Sequence, residues 1–219
     1  MRINKYLALK KIATRRGADE LVKEKKVFIN GKLAVLGSKI NENDKVEVRG
    51  VEEKKYLYYA YNKPIGIETD SPREDLFPLG RLDKASHGLL ILTNDGRITD
   101  QLLNPKYIHE KEYLVKTLNK LRSNFKQKME AGVNIEGYLT KKCKVKIIND
   151  FTFRVILTEG KKHQIRRMCS NLFQEVADLK RERIMNIKLG KLMPNALREI
   201  KGEELAIFLN QVLHQSESV

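Results

Sequence analysis

Cysteine is scarce in this sequence, and long apolar runs are missing from it. Only Cys143 and Cys169 occur, far apart and in no CxxC pair, and the four histidines are scattered. A zinc site gathers three or four such ligands at short spacing, so none is expected. Two free, buried thiols in a reducing compartment are expected instead. No stretch approaches the roughly 20 apolar residues of a membrane-spanning helix. The first residues lack the apolar segment of a secretory leader, which points to the cytoplasm. Acidic residues are also in deficit: 28 Asp and Glu stand against 43 Lys and Arg, for a formal net charge of +15 and a pI near 9.7. At 219 residues and 41% hydrophobic, the chain can build a packed core in one or two domains. The positive surplus therefore sits on a folded protein and favours a polyanionic partner, because Lys and Arg that neutralise phosphates release condensed counterions. An anionic membrane surface would attract the same charge. Without an apolar anchor, nucleic acid is the better reading.

The charge is unevenly spread. Residues 1–50 hold 13 basic and 6 acidic residues, while the remaining 169 hold 30 and 22. The first segment reads as two short helices and a small β element. Ile3, Leu7 and Ala8 form one apolar stripe, and Thr14 can cap a second helix carrying Ala18, Leu21 and Val22. VFINGKLA, Val27 to Ala34, has an Asn-Gly turn between strand-like stretches, and Asn43-Asp44 turns the chain into KVEV. Arg2, Lys5, Arg15 and Arg16 occupy positions that the stripes leave free. RINKYL, TRRGADELV, KVFINGK and NDKVEV, in this order and spacing, resemble an S4 RNA-binding domain of the α-L type. The resemblance implies that these four basic residues contact RNA phosphates.

Residues 50–55 read as a linker. Strand signals follow in YLYYAYNKP, GLLILTND and KEYLVKTL, and CKVKIIND with FTFRVILTEG should form a hairpin. RITDQLLN, SNFKQKMEAG, HQIRRMCSNLF and Glu203 to Val212 read as helices, with a frayed tail at 215–219. No internal repeat is evident. Strands, interspersed helices and adjacent hairpins predict an α+β domain over 56–214, with a mixed, largely antiparallel sheet, behind the S4 domain at 1–49.

The sharpest local feature is GRLDKASHGLLILTND, Gly80 to Asp95. It places Asp83 in a loop beside Arg81 and Lys84 at the entrance of a buried-type strand. Taken alone, an aspartate there most often caps a turn. The whole stretch, however, resembles the catalytic-loop signature of the RsuA/RluA pseudouridine synthases, in which the Asp of G-R-L-D is the essential residue. NKPIG at Asn62 to Gly66, HEKEYLV, LTEGKKHQIRRM and LKRERIMNIKLG resemble further motifs of that family in the expected order. By this resemblance Tyr113 is the active-site tyrosine, Arg166 pairs with Asp83, Leu179 walls the uracil pocket, and Arg81 fills the space left by a flipped base. Lys161, Lys162 and Arg167 are assigned to the RNA backbone. EKEYLV, CKV and RIMN look closest to the branch that acts on large-subunit ribosomal RNA.

The resemblance implies isomerisation of a uridine, most favourably in 23S rRNA, by a monomeric enzyme without a metal or small-molecule cofactor. The same chemistry on 16S rRNA or tRNA is an alternative. So is a non-catalytic S4-type RNA-binding or ribosome assembly protein, although a binder has no need of Asp83, Tyr113 and Arg166 together. Only Ile67 to Leu79 separate NKPIG from GRLD, a shorter connection than is usual in the family. Asn195 stands near where the family has a glycine before its final arginine, here Arg198.

Overall fold

A computed structural model describes residues 1–10, 12–50, 55–104 and 106–214. Most of the expected linker (51–54) and the expected tail (215–219) lie outside the described residues. The chain divides into two compact units, Met1–Tyr56 with Asp95–Thr99, and Leu57–Asn94 with Asp100–Val219.

In the first unit, helices α1 (Ile3–Leu9) and α2 (Arg15–Lys23) are followed by β1 (Val27–Ile29), β2 (Lys32–Leu33) and β3 (Val46–Val48) in the order β2-β1-β3. The Thr14 hydroxyl accepts from the Gly17 amide at 3.0 Å, satisfying one of the orphan donors at the start of α2. Asn30 and Gly31 both take positive φ, 50° and 77°, as a two-residue hairpin turn requires. The Asn30 side chain donates to Asp44 Oδ1 at 2.8 Å and accepts from the Lys45 amide at 2.9 Å, tying this turn to the next. Ile3, Leu7, Ala18, Val22, Val27, Ala34 and Ile40 form the core. Ala8 and Leu21 are only partly buried, so the helical stripes are narrower than the sequence predicts.

The second unit is built on one nine-stranded sheet. Its elements are β4 (Tyr58–Lys63), β5 (Phe77–Leu79), β6 (His87–Thr93), α3 (Thr99–Leu103), β7 (Lys111–Thr117), α4 (Phe125–Glu130), β8 (Asn134–Ile135), β9 (Tyr138–Leu139), β10 (Lys144–Asn149), β11 (Thr152–Leu157), α5 (Gln164–Asn171), β12 (Val176–Ile184), β13 (Ile187–Lys188), β14 (Leu197–Glu199) and α6 (Gly202–His214). The strand order is β10-β11-β7-β12-β6-β4-β14, with β13 paired to β12 and β5 to β6, while β8 and β9 form a separate hairpin. Among the described residues only β12 and β6 pair in parallel, in the register Lys180–His87 and Arg181–Gly88. The α+β class and the mixed, largely antiparallel sheet are as the sequence predicts. β5, β8, β9 and β12–β14 are strands that the pattern does not reveal. RITDQLLN starts as a 3-10 turn, Gly96–Ile98, before α3.

One core cluster joins α4 and α5 to the sheet: Phe125 and Met129, and Ile165, Met168 and Cys169, belong with Val115, Val145, Phe153, Val155 and Leu179. The rings of Phe125 and Phe153 meet edge-on at 4.8 Å. Neighbouring strands β7, β11 and β12 also carry an ion network, in which Arg183 pairs with Glu110 (3.0 Å) and Glu112 (2.7 Å) and Arg154 with Glu182 (3.0 Å). Cys169 is buried as expected. Cys143 is only partly so, because its thiol sits at the edge of the core and donates to the Met129 carbonyl. Burial pushes both thiols up to about 12, which leaves them unreactive at neutral pH.

Candidate active site

The loop between β5 and β6 is held at several points. The Leu82 amide donates to the Thr69 hydroxyl at 2.9 Å, and that hydroxyl donates to the Leu82 carbonyl at 2.6 Å. The Gly66 amide donates to the Lys84 carbonyl at 2.8 Å, and the Ser86 amide to the Asp83 carbonyl at 3.0 Å. Lys63, fully buried at the end of β4, donates its ammonium to the carbonyls of Ser86 (2.8 Å) and Pro64 (3.1 Å). Burial pushes the Lys63 pKa down, against the opposing pull of Asp83 and Glu68. A loop with so many tethers presents its side chains at fixed positions.

Asp83 forms an ion pair there. Arg166 Nε, on α5, lies 3.4 Å from Asp83 Oδ2. The same guanidinium donates through Nη2 to the Ala85 carbonyl and the Ser86 hydroxyl, both at 3.1 Å. Asp83 Oδ1 is buried without a hydrogen-bond partner among the described residues. The carboxylate is thus oriented through one oxygen and unpaired at the other.

Asp83 lines a cleft of about 760 Å³, together with Arg81, Tyr113, Leu179, Lys161 and Lys162. Six of the eight residues singled out for this domain therefore share one concavity. Tyr113 sits on β7 between Val155 and Arg181 of the flanking strands, and Leu179 sits on β12 beside Val115. Arg81 is exposed. The Lys161 ammonium lies 4.3 Å from the centre of the Tyr138 ring. Arg166 does not itself line the cleft; it reaches Asp83 from α5. Arg167 is also outside the cleft lining and makes an ion pair with Glu136, which competes with any phosphate. His163 opens α5 at φ 50° and caps nothing with its side chain.

Three basic residues that the sequence does not single out belong to the same site. Lys63 holds the Asp83 loop. Arg181, 1% exposed, donates Nε to the Leu89 carbonyl at 2.7 Å and Nη2 to the Gly80 carbonyl at 3.1 Å. Lys111 lines the cleft, and burial, assisted by the charge of Arg181, pushes its pKa down to about 8. In the first unit, Arg2, Lys5 and Arg15 line a shared concavity of about 510 Å³ with Met1 and Asn4. Arg16 is exposed and lies outside that lining.

Residues 57–171 match the family model described as RNA pseudouridylate synthase, and residues 1–46 match the S4 domain. The dual-specificity RNA pseudouridine synthase RluF of Escherichia coli K12 is 38% identical over an alignment that covers all of this chain and 82% of that protein. The ribosomal large subunit pseudouridine synthase B of Bacillus subtilis is 33% identical, over 93% of each chain. A crystal structure of a pseudouridylate synthase superposes with a TM-score of 0.71 at 26% identity, covering 97% of this chain and all of that one.

Proposed function

The chain belongs to the RNA pseudouridylate synthase family, and from that premise we propose that it isomerises a specific uridine of 23S rRNA, with Asp83 as the catalytic carboxylate. The observation that carries this reading is the 3.4 Å ion pair of Asp83 with Arg166 at the cleft, with Oδ1 left without a hydrogen-bond partner among the described residues. The adjacent guanidinium orients the carboxylate through Oδ2. The target base leaves its stack to enter the cleft, as bases do for other enzymes that act on them. Arg81, exposed at the rim, takes the vacated place, since a planar guanidinium both stacks and hydrogen-bonds.

The reaction breaks the N1–C1′ bond, turns the uracil, and joins C1′ to C5. The C5 proton is lost and N1 gains one, so no atoms or electrons enter or leave overall. No cofactor is required. Asp83 acts on the ribose, Tyr113 offers its face to the uracil and its phenol to the C5 proton, and Leu179 forms the apolar wall. Lys161 and Lys162 meet the backbone at the rim. Residues 1–49 form the S4 domain that grips the RNA through Arg2, Lys5, Arg15 and Arg16. Residues 50–55 are the linker, 56–214 the catalytic domain and 215–219 the tail, in a monomeric cytoplasmic enzyme.

The large-subunit target is supported by the name of the Bacillus relative and by the basic surplus of an S4-bearing chain. The Escherichia relative is named as dual-specificity, which favours a second RNA as a further substrate. Pseudouridine mapping of all cellular RNA, with and without the gene, tests both. Loss of a 23S position, restored by the wild-type gene but not by Asp83→Asn, is the expected result. An unchanged map leaves a non-catalytic RNA binder.

A further inference from the structure

Lys111 brings a positive charge into the cleft that no acidic group there answers. It opens β7, and strand alternation puts it on the same face as Tyr113, two residues or roughly 6.8 Å further on. Both line the cleft. Three acids line it too. Asp83 is paired with Arg166. Glu159 is occupied by the Tyr138 hydroxyl, the Gln164 amide and the Lys141 backbone. Glu68 is exposed. Among the described residues none of them forms an ion pair with Lys111. The groups that do face it are Arg181, from β12, and His109, from the segment leading into β7. Arg181 only adds to the positive potential, and burial holds His109 towards its neutral form.

A partly buried ammonium without a counter-charge costs free energy, and an arriving anion relieves that cost. The phosphates of a bound strand have exposed cations at the rim to meet them. The part of the cleft flanked by Tyr113 suits a flat base, and uracil is neutral when it binds. Its charge appears during the reaction. When N1–C1′ breaks, the bonding pair stays with the base and spreads over N1, O2 and O4. This holds whether Asp83 captures C1′ or takes a proton from C2′. The charge disappears again as C5 bonds to C1′ and the C5 proton leaves, with a proton delivered to the ring nitrogen.

We propose that Lys111 is a further catalytic residue, whose ammonium stabilises the uracil anion formed when the N1–C1′ bond breaks. The proposal rests on the reading that this cleft holds the target uridine. It asks a preorganised donor to meet charge that develops only on the way to the transition state. The effect of its loss therefore belongs in kcat rather than KM.

The test compares wild type, Lys111→Met and Lys111→Arg on an RNA fragment carrying the mapped uridine, with thermal melts to verify folding. Lys111→Met is expected to lower kcat by about 100-fold, the scale for losing one such donor, with KM nearly unchanged. Lys111→Arg keeps the charge and should recover much of the rate. A second RNA carries 5-fluorouridine at the target. That base is a more acidic leaving group and needs less help, so the deficit of Lys111→Met should shrink. Conversion of this substrate stops after C1′–C5 rejoining and is followed as loss of the starting nucleoside. A higher KM with unchanged kcat would assign Lys111 to a phosphate and overturn the proposal, as would equal deficits on the two substrates. A wild-type protein that makes no pseudouridine overturns this inference together with the proposed function. An active wild type with an unimpaired Lys111→Met overturns this inference alone.

Discussion

Gly88 and Arg181 face each other across the parallel pair of β6 and β12, and the Arg181 backbone occupies the space that any side chain on Gly88 would need. A Cβ placed there would lie 2.8 Å from the Arg181 amide nitrogen and closer still to its carbonyl oxygen. Gly88 also has φ +103°, a conformation that side chains rarely adopt. Close approach lets the buried Arg181 side chain reach the Leu89 and Gly80 carbonyls, which brace the start of the Asp83 loop. Gly88→Ala should therefore lower stability by about 1–3 kcal/mol from overpacking alone, with backbone strain in addition. Urea unfolding measures the loss. A midpoint within error of wild type would mean that β6 and β12 separate easily and do not brace the loop.

Arg166 ties four points together: the Asp83 carboxylate, the Ala85 and Val176 carbonyls and the Ser86 hydroxyl. Removing it frees Asp83 to turn while leaving the core cluster untouched. Arg166→Ala is expected to lower kcat by at least about 100-fold, the scale for a misplaced reacting group, with a melting temperature close to wild type. Arg166→Lys should recover little, since an ammonium lacks the planar fork that reaches these four acceptors. Turnover near the wild-type rate for Arg166→Ala would show that Lys63 and the backbone tethers position Asp83 unaided.

Lys111 gives a pH dependence of stability with a definite sign. Its ordinary pKa of 10.5 falls to about 8 in the folded protein, chiefly through burial. The unfolded chain thus holds this proton more tightly, and between pH 8 and 10.5 it binds more protons than the native state. Stability contributed by this group rises with pH across that window and is flat below it. The unfolding free energy of wild type minus that of Lys111→Met should accordingly increase from pH 8 to pH 10. A difference independent of pH would show that the ammonium is well solvated.

Asp83 stood out only as part of a long motif, since an aspartate alone in such a loop most often caps a turn, and Tyr113 and Arg166 stood out by their place in further motifs. GRLDKASHGLLILTND carries Asp83, Arg81 and the strand that follows in one run. Arg181 was not legible. Within LKRER it looks like any surface cation, and only the parallel register of β12 beside β6 makes it one of the most buried side chains. Lys63 and Lys111 were hidden for a related reason: each lies at the end of a strand, and long-range pairing decides what surrounds it. Arg167 has a partner that its basic helical setting does not reveal, the Glu136 carboxylate. Asn195 shows a local exception being accommodated. It takes φ 64°, as the glycine usual there could, and Tyr61 and Asn62 hold its side chain and backbone at 2.8 and 2.7 Å.

The S4 unit makes a prediction about salt rather than rate. Arg2, Lys5, Arg15 and Arg16 are all exposed and form no ion pair with an acidic group among the described residues, so each is available to a phosphate. Each phosphate neutralised contributes about 0.7 to 0.9 to the slope of log K against log salt. Replacing Arg2, Lys5 and Arg15 together should flatten that slope by roughly 2 to 3, because all three line one concavity. Arg16→Ala should flatten it by roughly 1 at most. None of the four contributes to the core of Ile3, Leu7, Ala18 and Val22, so the melting temperature should hold. RNA titrations across a range of KCl concentrations provide the slopes. If the triple variant binds more weakly yet keeps the wild-type slope, these residues shape the surface instead of neutralising phosphates, and the RNA contacts of this unit lie on another face.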